Sequence, residues 1–207
     1  GTSKNLLSNN SFETVKNNKV TDWYAYGGTS GGIDGSYVTV DQDNVVSGSN
    51  SIAIRSFKQG NDIYPWIMNT ISNMIPGATY QVAVKFKIPG PDKGIVSVTC
   101  EYNSAAIPQA DTWLTVRHKG TYTGGISNEW QEIIFNTVVP EDARSCGIRL
   151  RLFADDANTV VYFDDAETYM IKEPEQISLV TDEVFYYTEW KKGTAKAKIL
   201  NNFDNLR

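Results

Sequence analysis

Apolar and polar residues alternate with a period of two along several stretches of the chain. In residues 80–88 the apolar set is Tyr80, Val82, Val84, Phe86 and Ile88, with Gln81, Lys85 and Lys87 between them. In 95–102 it is Val96, Val98, Cys100 and Tyr102, and in 147–153 it is Ile148, Leu150 and Leu152, with Arg149 and Arg151 on the other side. Successive side chains of an extended chain point to opposite faces, so each stretch predicts a strand with one face in a core. Further strands are predicted at residues 37–40, 51–56, 66–71, 130–138 and 160–170. No window carries a sustained helical period with caps. Pro76-Gly77, Pro89-Gly90-Pro91, Gly124-Gly125 and Pro140 punctuate the strands as turns. About eight to ten short strands spaced in this way predict an all-β fold, an antiparallel β-sandwich of the jelly-roll kind.

The pattern also divides the chain. Gly1-Thr2-Ser3 has the composition of a cloning scar, so residues 1–4 are set aside as scar or linker. Residues 5–172 form the predicted sandwich. The charged run Lys172-Glu173-Pro174-Glu175 predicts a linker, after which apolar residues at 177–180 and 184–187 and alternation at 195–199 suggest the first strands of a further β domain, cut short within 173–207. Two or three strands alone are marginal in water, so this tail packs on the sandwich, pairs with another chain, or frays.

Composition narrows the function classes. A hydrophobic content of 41% can fill a core, and aromatics at 12% suit β structure and surfaces that stack on flat apolar ligands. A net charge of −5, with Lys191-Lys192 the longest basic cluster, argues against nucleic-acid binding. No stretch has the length of a membrane span. The two cysteines, Cys100 and Cys146, are expected as buried thiols, with a single bridge as the alternative.

Enzymatic signatures are missing from the sequence. The one histidine, His118, lies between Arg117 and Lys119 and is expected in an exposed loop. A single histidine excludes an HExxH zinc site, and neither a GxSxG elbow nor a GxxxxGK[ST] phosphate loop is present. Carboxylate pairs such as Glu101 with Glu132, or Asp155 with Asp156, could in principle cleave glycosides, but nothing in the sequence sets two of them across a cleft.

The start of the chain runs Asn5-Leu6-Leu7-Ser8-Asn9-Asn10-Ser11-Phe12-Glu13 and is followed by Trp23; then come Gly48-Ser49-Asn50-Ser51-Ile52-Ala53-Ile54, Ile75-Pro76-Gly77-Ala78-Thr79-Tyr80, and Val161-Tyr162-Phe163-Asp164-Asp165-Ala166-Glu167. In order and spacing these segments resemble carbohydrate-binding modules of the CBM4/CBM9/CBM16/CBM22 jelly-roll type, from about Asn5 to Met170. Asn10 departs from the proline usual at that position. The resemblance implies a galactose-binding-like jelly roll with a structural Ca2+ ion, held by Glu13 and Asp165, with Asp164 a weaker candidate and backbone oxygens near Ser11 and Ser51 contributing. Carboxylates and carbonyls are the ligand types a hard cation takes.

In the resembled modules a sugar is held on a concave sheet face or in the loops at its edge. Sugars offer apolar C–H faces and rims of hydroxyls, which aromatic rings and planar hydrogen-bonding groups can grip. The candidate ligand-binding residues are Trp66, Trp113, Tyr64, Tyr122, Arg149, Arg151 and Gln81, with Tyr24 and Tyr26 as weaker aromatics. Trp113 and Tyr122 lie in an irregular stretch, 103–128, too long for an ordinary hairpin loop, so it is either functional or holds another strand. Gln81, Lys85, Arg149 and Arg151 are expected on one sheet face, and Trp23 and Trp130 are expected in the core. The resulting expectation is a non-catalytic module that binds a polysaccharide or oligosaccharide, next to neighbouring domains of a larger secreted or cell-surface enzyme. The alternative is a structural or adhesive spacer without sugar affinity, and a glycoside hydrolase or lyase is a weaker third.

Overall fold

The computed structural model describes residues 4–26, 37–56, 64–155 and 158–175. The chain divides into two compact units, Gly1–Pro174 and Glu175–Arg207. The strands expected at 177–199 lie outside the described residues.

The first unit is built from strands. β1 (Val15–Lys16) and β2 (Lys19–Val20) make a small hairpin. The others are β3 (Trp23–Tyr26), β4 (Val38–Asp41), β5 (Ser51–Arg55), β6 (Trp66–Ile71), β7 (Thr79–Ile88), β8 (Ile95–Asn103), β9 (Trp113–Tyr122), β10 (Ser127–Val138), β11 (Ser145–Phe153) and β12 (Val160–Lys172). They form two five-stranded antiparallel sheets. The front sheet has the order β3-β6-β11-β8-β9 and the back sheet the order β10-β7-β12-β5-β4. No helix among the described residues is long and apolar enough to cross a membrane.

The period-two pattern explains the core. Val96, Val98, Cys100 and Tyr102 of β8 and Ile148, Leu150 and Leu152 of β11 face inward from the front sheet, and all are fully buried. Tyr80, Val82, Val84, Phe86 and Ile88 of β7 meet them from the back sheet. Cys100 and Cys146 are free, buried thiols; burial first, then the neighbouring Cys100, push the Cys146 thiol well up, so it is not a reactive thiolate.

The start of the chain is fastened to its far end. Leu6 N–H donates to the Thr168 carbonyl, Asn5 pairs with the backbone of Ala166 and Thr168, and Ala166 N–H donates to the Asn10 carbonyl. Asn9 shapes the turn that follows. Its side-chain amide donates to the Thr14 and Thr21 carbonyls at 2.9 and 2.8 Å, and its backbone carbonyl accepts the Trp23 indole N–H at 2.9 Å. This turn drives Phe12 into the core against Trp23, ring centroids 4.9 Å apart.

One open alternative is decided and two expectations are corrected. Stretch 103–128 holds a regular strand, β9. Its inward positions include His118 and Gly120, which break the apolar alternation. A side chain at Gly120 would collide with Ile133, its Cβ standing 2.6 Å away, so the close approach of β10 requires glycine there. His118 is not a loop residue: its Nδ1 lies 2.5 Å from the Thr137 hydroxyl, which also meets the Tyr102 hydroxyl. Trp130 is half-buried outside the core, with the Lys87 ammonium 5.5 Å above its ring.

Candidate functional site

The outward face of the front sheet gathers most of the candidate ligand-binding residues. The strand registers lay it out in rows. Tyr26, Trp66, Arg151, Ser97 and Thr121 stand in one row across the five strands, and Tyr24, Met68, Arg149, Thr99 and Lys119 in the next. A third row carries Thr70, Gly147, Glu101 and Arg117. Trp113 stands beyond it, opposite Asn103.

Aromatic rings flank a polar centre. The Tyr26 and Trp66 rings stack at 5.6 Å with 17° between their planes, and Tyr24, 61% exposed, lies 5.8 Å from Trp66. The Arg149 guanidinium covers the Trp66 ring at 4.3 Å and donates to the Glu101 carboxylate at 2.7 Å. At Gly147 a Cβ would stand 2.5 Å from the Met68 sulfur and 3.2 Å from the Trp113 ring, so glycine there lets Trp113 lie down across β11 toward Met68. Tyr64 sits at one end of the face, its ring edge-on to Phe153 at 4.9 Å and its hydroxyl 3.5 Å from Asp155.

Among the described residues Arg151 makes no ion pair. Its guanidinium lies 5.4 Å from the Phe153 ring centre, and its buried Nε has no hydrogen-bond partner. Burial first, then the charge of Arg149, lower its pKa to about 10, with Arg117 adding to the lowering and Glu101 opposing it. The Nε of Arg149 is likewise buried without a partner. Flat apolar rings around a floor of forked donors can hold a ligand with apolar faces and a polar rim.

Two predicted members stand elsewhere. Gln81 belongs to β7 in the back sheet, where it accepts from the Tyr169 hydroxyl at 2.6 Å, so it and Lys85 do not share a face with Arg149 and Arg151. Tyr122 points inward from β9 and packs on Phe86 at 4.9 Å. It is nine residues from Trp113, an odd separation, and so lies on the other side of the strand. Conversely, Glu101, Ser97, Thr99, Met68 and Arg117 belong to the face and were not among the candidates for ligand binding. For Ser97, Thr99, Glu101 and Arg117 the polar-side parity on β8 and β9 was the available signal, and for Met68 only its parity with Trp66 on β6; their neighbours across the sheet were not visible in it. Glu101 and Glu132 face away from each other on different sheets, Glu132 lying 3.9 Å from Lys85, so they cannot act as a catalytic pair.

The residues expected to hold calcium gather at the turn before β5. Glu13 accepts the backbone N–H groups of Ser49 and Asn50, both at 2.9 Å, and Gly48 (φ 66°) leaves room for its carboxylate, which would lie 2.5 Å from a Cβ. Asp165 accepts the Ser47 hydroxyl at 2.6 Å. Asp164 is fully buried and accepts the Val46 N–H at 2.7 Å; burial raises its pKa, and the N–H groups it accepts oppose the rise. Ser51 is buried with an unpartnered hydroxyl, and Ser11 is half-buried. Among the described residues no three acidic, histidine or cysteine side chains come together as a metal site. As placed, these carboxylates grip the turn through N–H and O–H donors.

A family model described as a carbohydrate binding domain matches residues 4–157. Among solved structures, the chain is similar to the enzymatically active domain of bacteriophage CBA120 tailspike protein 4 (TM-score 0.58, 16% identity), covering 81% of this chain but only 21% of that one. It is also similar to the C-terminal family 22 carbohydrate binding module of Clostridium thermocellum Xyn10B (TM-score 0.53, 19% identity), covering 80% of this chain and 95% of that one. A third similar structure is TmCBM61 in complex with β-1,4-galactotriose (TM-score 0.53, 17% identity), covering 83% and 100%. No curated protein matches the chain.

Proposed function

The chain belongs to the carbohydrate-binding domain family, and from that premise we propose that it is a non-catalytic module that holds a glycan chain on the outward face of its front sheet. The observation that carries the assignment is the layered group Tyr26–Trp66–Arg149–Glu101, with Trp113 close by over Gly147. The rings offer platforms for the C–H faces of successive sugars, and the guanidinium and carboxylate offer donors and acceptors at ring height. Glu101 has its charge committed to Arg149 and has no second carboxylate beside it in its row, so the face is equipped to bind rather than to cleave.

The module directs neighbouring glycan-active domains to their substrate outside the cell. In support, the similar tailspike is a much longer chain of which this fold occupies only part. A calcium ion at the Glu13–Asp165 turn is retained as an accessory, because carboxylates from opposite ends of the chain meet one turn there and are the donor type a hard cation takes.

The test is native affinity electrophoresis against soluble β-glucans, xylans, mannans, galactans and pectins. Retardation by at least one class is expected. Trp66→Ala and Trp113→Ala should each weaken it roughly tenfold or more, the scale of truncating a buried aromatic anchor. Undiminished binding by both variants would remove this face from the assignment.

A further inference from the structure

We propose that the front-sheet face is built for an acidic glycan, one bearing uronic-acid carboxylates, and that Arg151 is the residue that meets the carboxylate. This rests on the assignment of that face to sugar binding and adds the charge of the ligand. Arg117, Lys119, Arg149 and Arg151 project from the face, and the carboxylate in the same rows is that of Glu101. Glu101 is already committed, accepting from Arg149 at 2.7 Å. The surplus is cationic on a chain whose net charge is −5, so it runs against the overall balance.

Arg151 is the centre of that surplus. The charges acting on it are two cations, Arg149 and Arg117, against one anion, Glu101. It is half-buried and its Nε is unpartnered. A cation withdrawn from water among like charges is costly until an anion joins it. Hydroxyls of a neutral sugar can accept its hydrogen bonds but leave the charge uncompensated. A carboxylate does both, and its two oxygens match the guanidinium fork. Position agrees: Arg151 pairs directly with Trp66 across neighbouring strands, about 4.8 Å apart. A sugar held against the edge of the Tyr26–Trp66–Arg149 stack can therefore carry its carboxylate sideways onto Arg151.

The experiment compares each acidic polysaccharide with its own carboxyl-reduced form. Polygalacturonate and glucuronic-acid-substituted xylan are titrated calorimetrically into the protein, native and reduced, at low and raised salt, alongside neutral β-glucan and xylan. Expected is roughly tenfold or greater preference for a native form over its reduced counterpart, shrinking as salt rises. Arg151→Gln should bring the two forms to the same affinity, and Arg117→Gln, at an exposed position, should narrow the gap without change in melting temperature. If Arg151→Gln does not fold, the wild-type comparison and Arg117→Gln decide. Equal binding of native and reduced forms, or tighter binding of the neutral chains, overturns the acidic-ligand proposal and leaves the sugar-binding face standing. No binding by any polysaccharide, acidic or neutral, overturns the sugar-binding reading and this proposal together.

Discussion

Arg149 does two things at once: it covers the Trp66 ring and neutralises Glu101, whose side chain is only 7% exposed. Removing a partner from a buried pair strands the other charge, which costs more than the pair itself is worth. Arg149→Met should therefore destabilise the fold by about 3–5 kcal/mol, while Arg149→Met combined with Glu101→Met should recover most of that loss. Urea denaturation of the two single variants and the double variant measures the coupling. Costs that simply add would mean that the two side chains do not depend on each other. At this scale the sequence was informative about parity and silent about partners. Arg149 and Arg151 were legible as outward residues because they alternate with Ile148, Leu150 and Leu152. That Glu101, 48 positions away, is the carboxylate beneath Arg149 follows only from the pairing of β8 with β11.

β9 shows how a single strand divides its labour. Trp113 lies on the outward side, and Tyr122 turns in against Phe86. Trp113→Ala should reduce glycan binding with little change in stability. Tyr122→Ala should leave binding intact and cost about 2 kcal/mol, part of the usual penalty for emptying an aromatic site because the ring is only partly buried. Gln81→Ala, on the back sheet, should leave binding unchanged. Affinity electrophoresis together with thermal melting separates the three, and a loss of binding in Tyr122→Ala or Gln81→Ala would contradict this placement. The sequence left a strand here as one of two alternatives, because its inward positions carry His118 and Gly120 and so lack a clean apolar alternation. Each is suited to a neighbour on β10, the one to the Thr137 hydroxyl and the other to the bulk of Ile133.

Across the whole molecule the two ends of the first unit are fastened together by the Asn5 and Leu6 bonds to β12 and by Glu13 and Asp165 on either side of the turn before β5. If calcium joins that fastening, it stabilises the folded state alone. At a hundred times its Kd the gain is about 2.7 kcal/mol, a rise in Tm of about 5–10 °C for a unit of this size. Chelator should reverse the rise and Glu13→Gln should abolish it. An identical Tm with calcium and with chelator would leave the hydrogen-bonded clamp as the only fastening. The sequence by itself determined the fold class, most of the strands, and which side of each strand faces the core, because a strand's period of two is a local property of the backbone and its core face must be apolar wherever it lies. Only the tertiary structure decided which strands are neighbours. It moved Gln81 to the back sheet, brought Glu101 to Arg149, and joined residues from five separate strands into one face, because sheet pairing is a contact between distant segments and no local pattern encodes it.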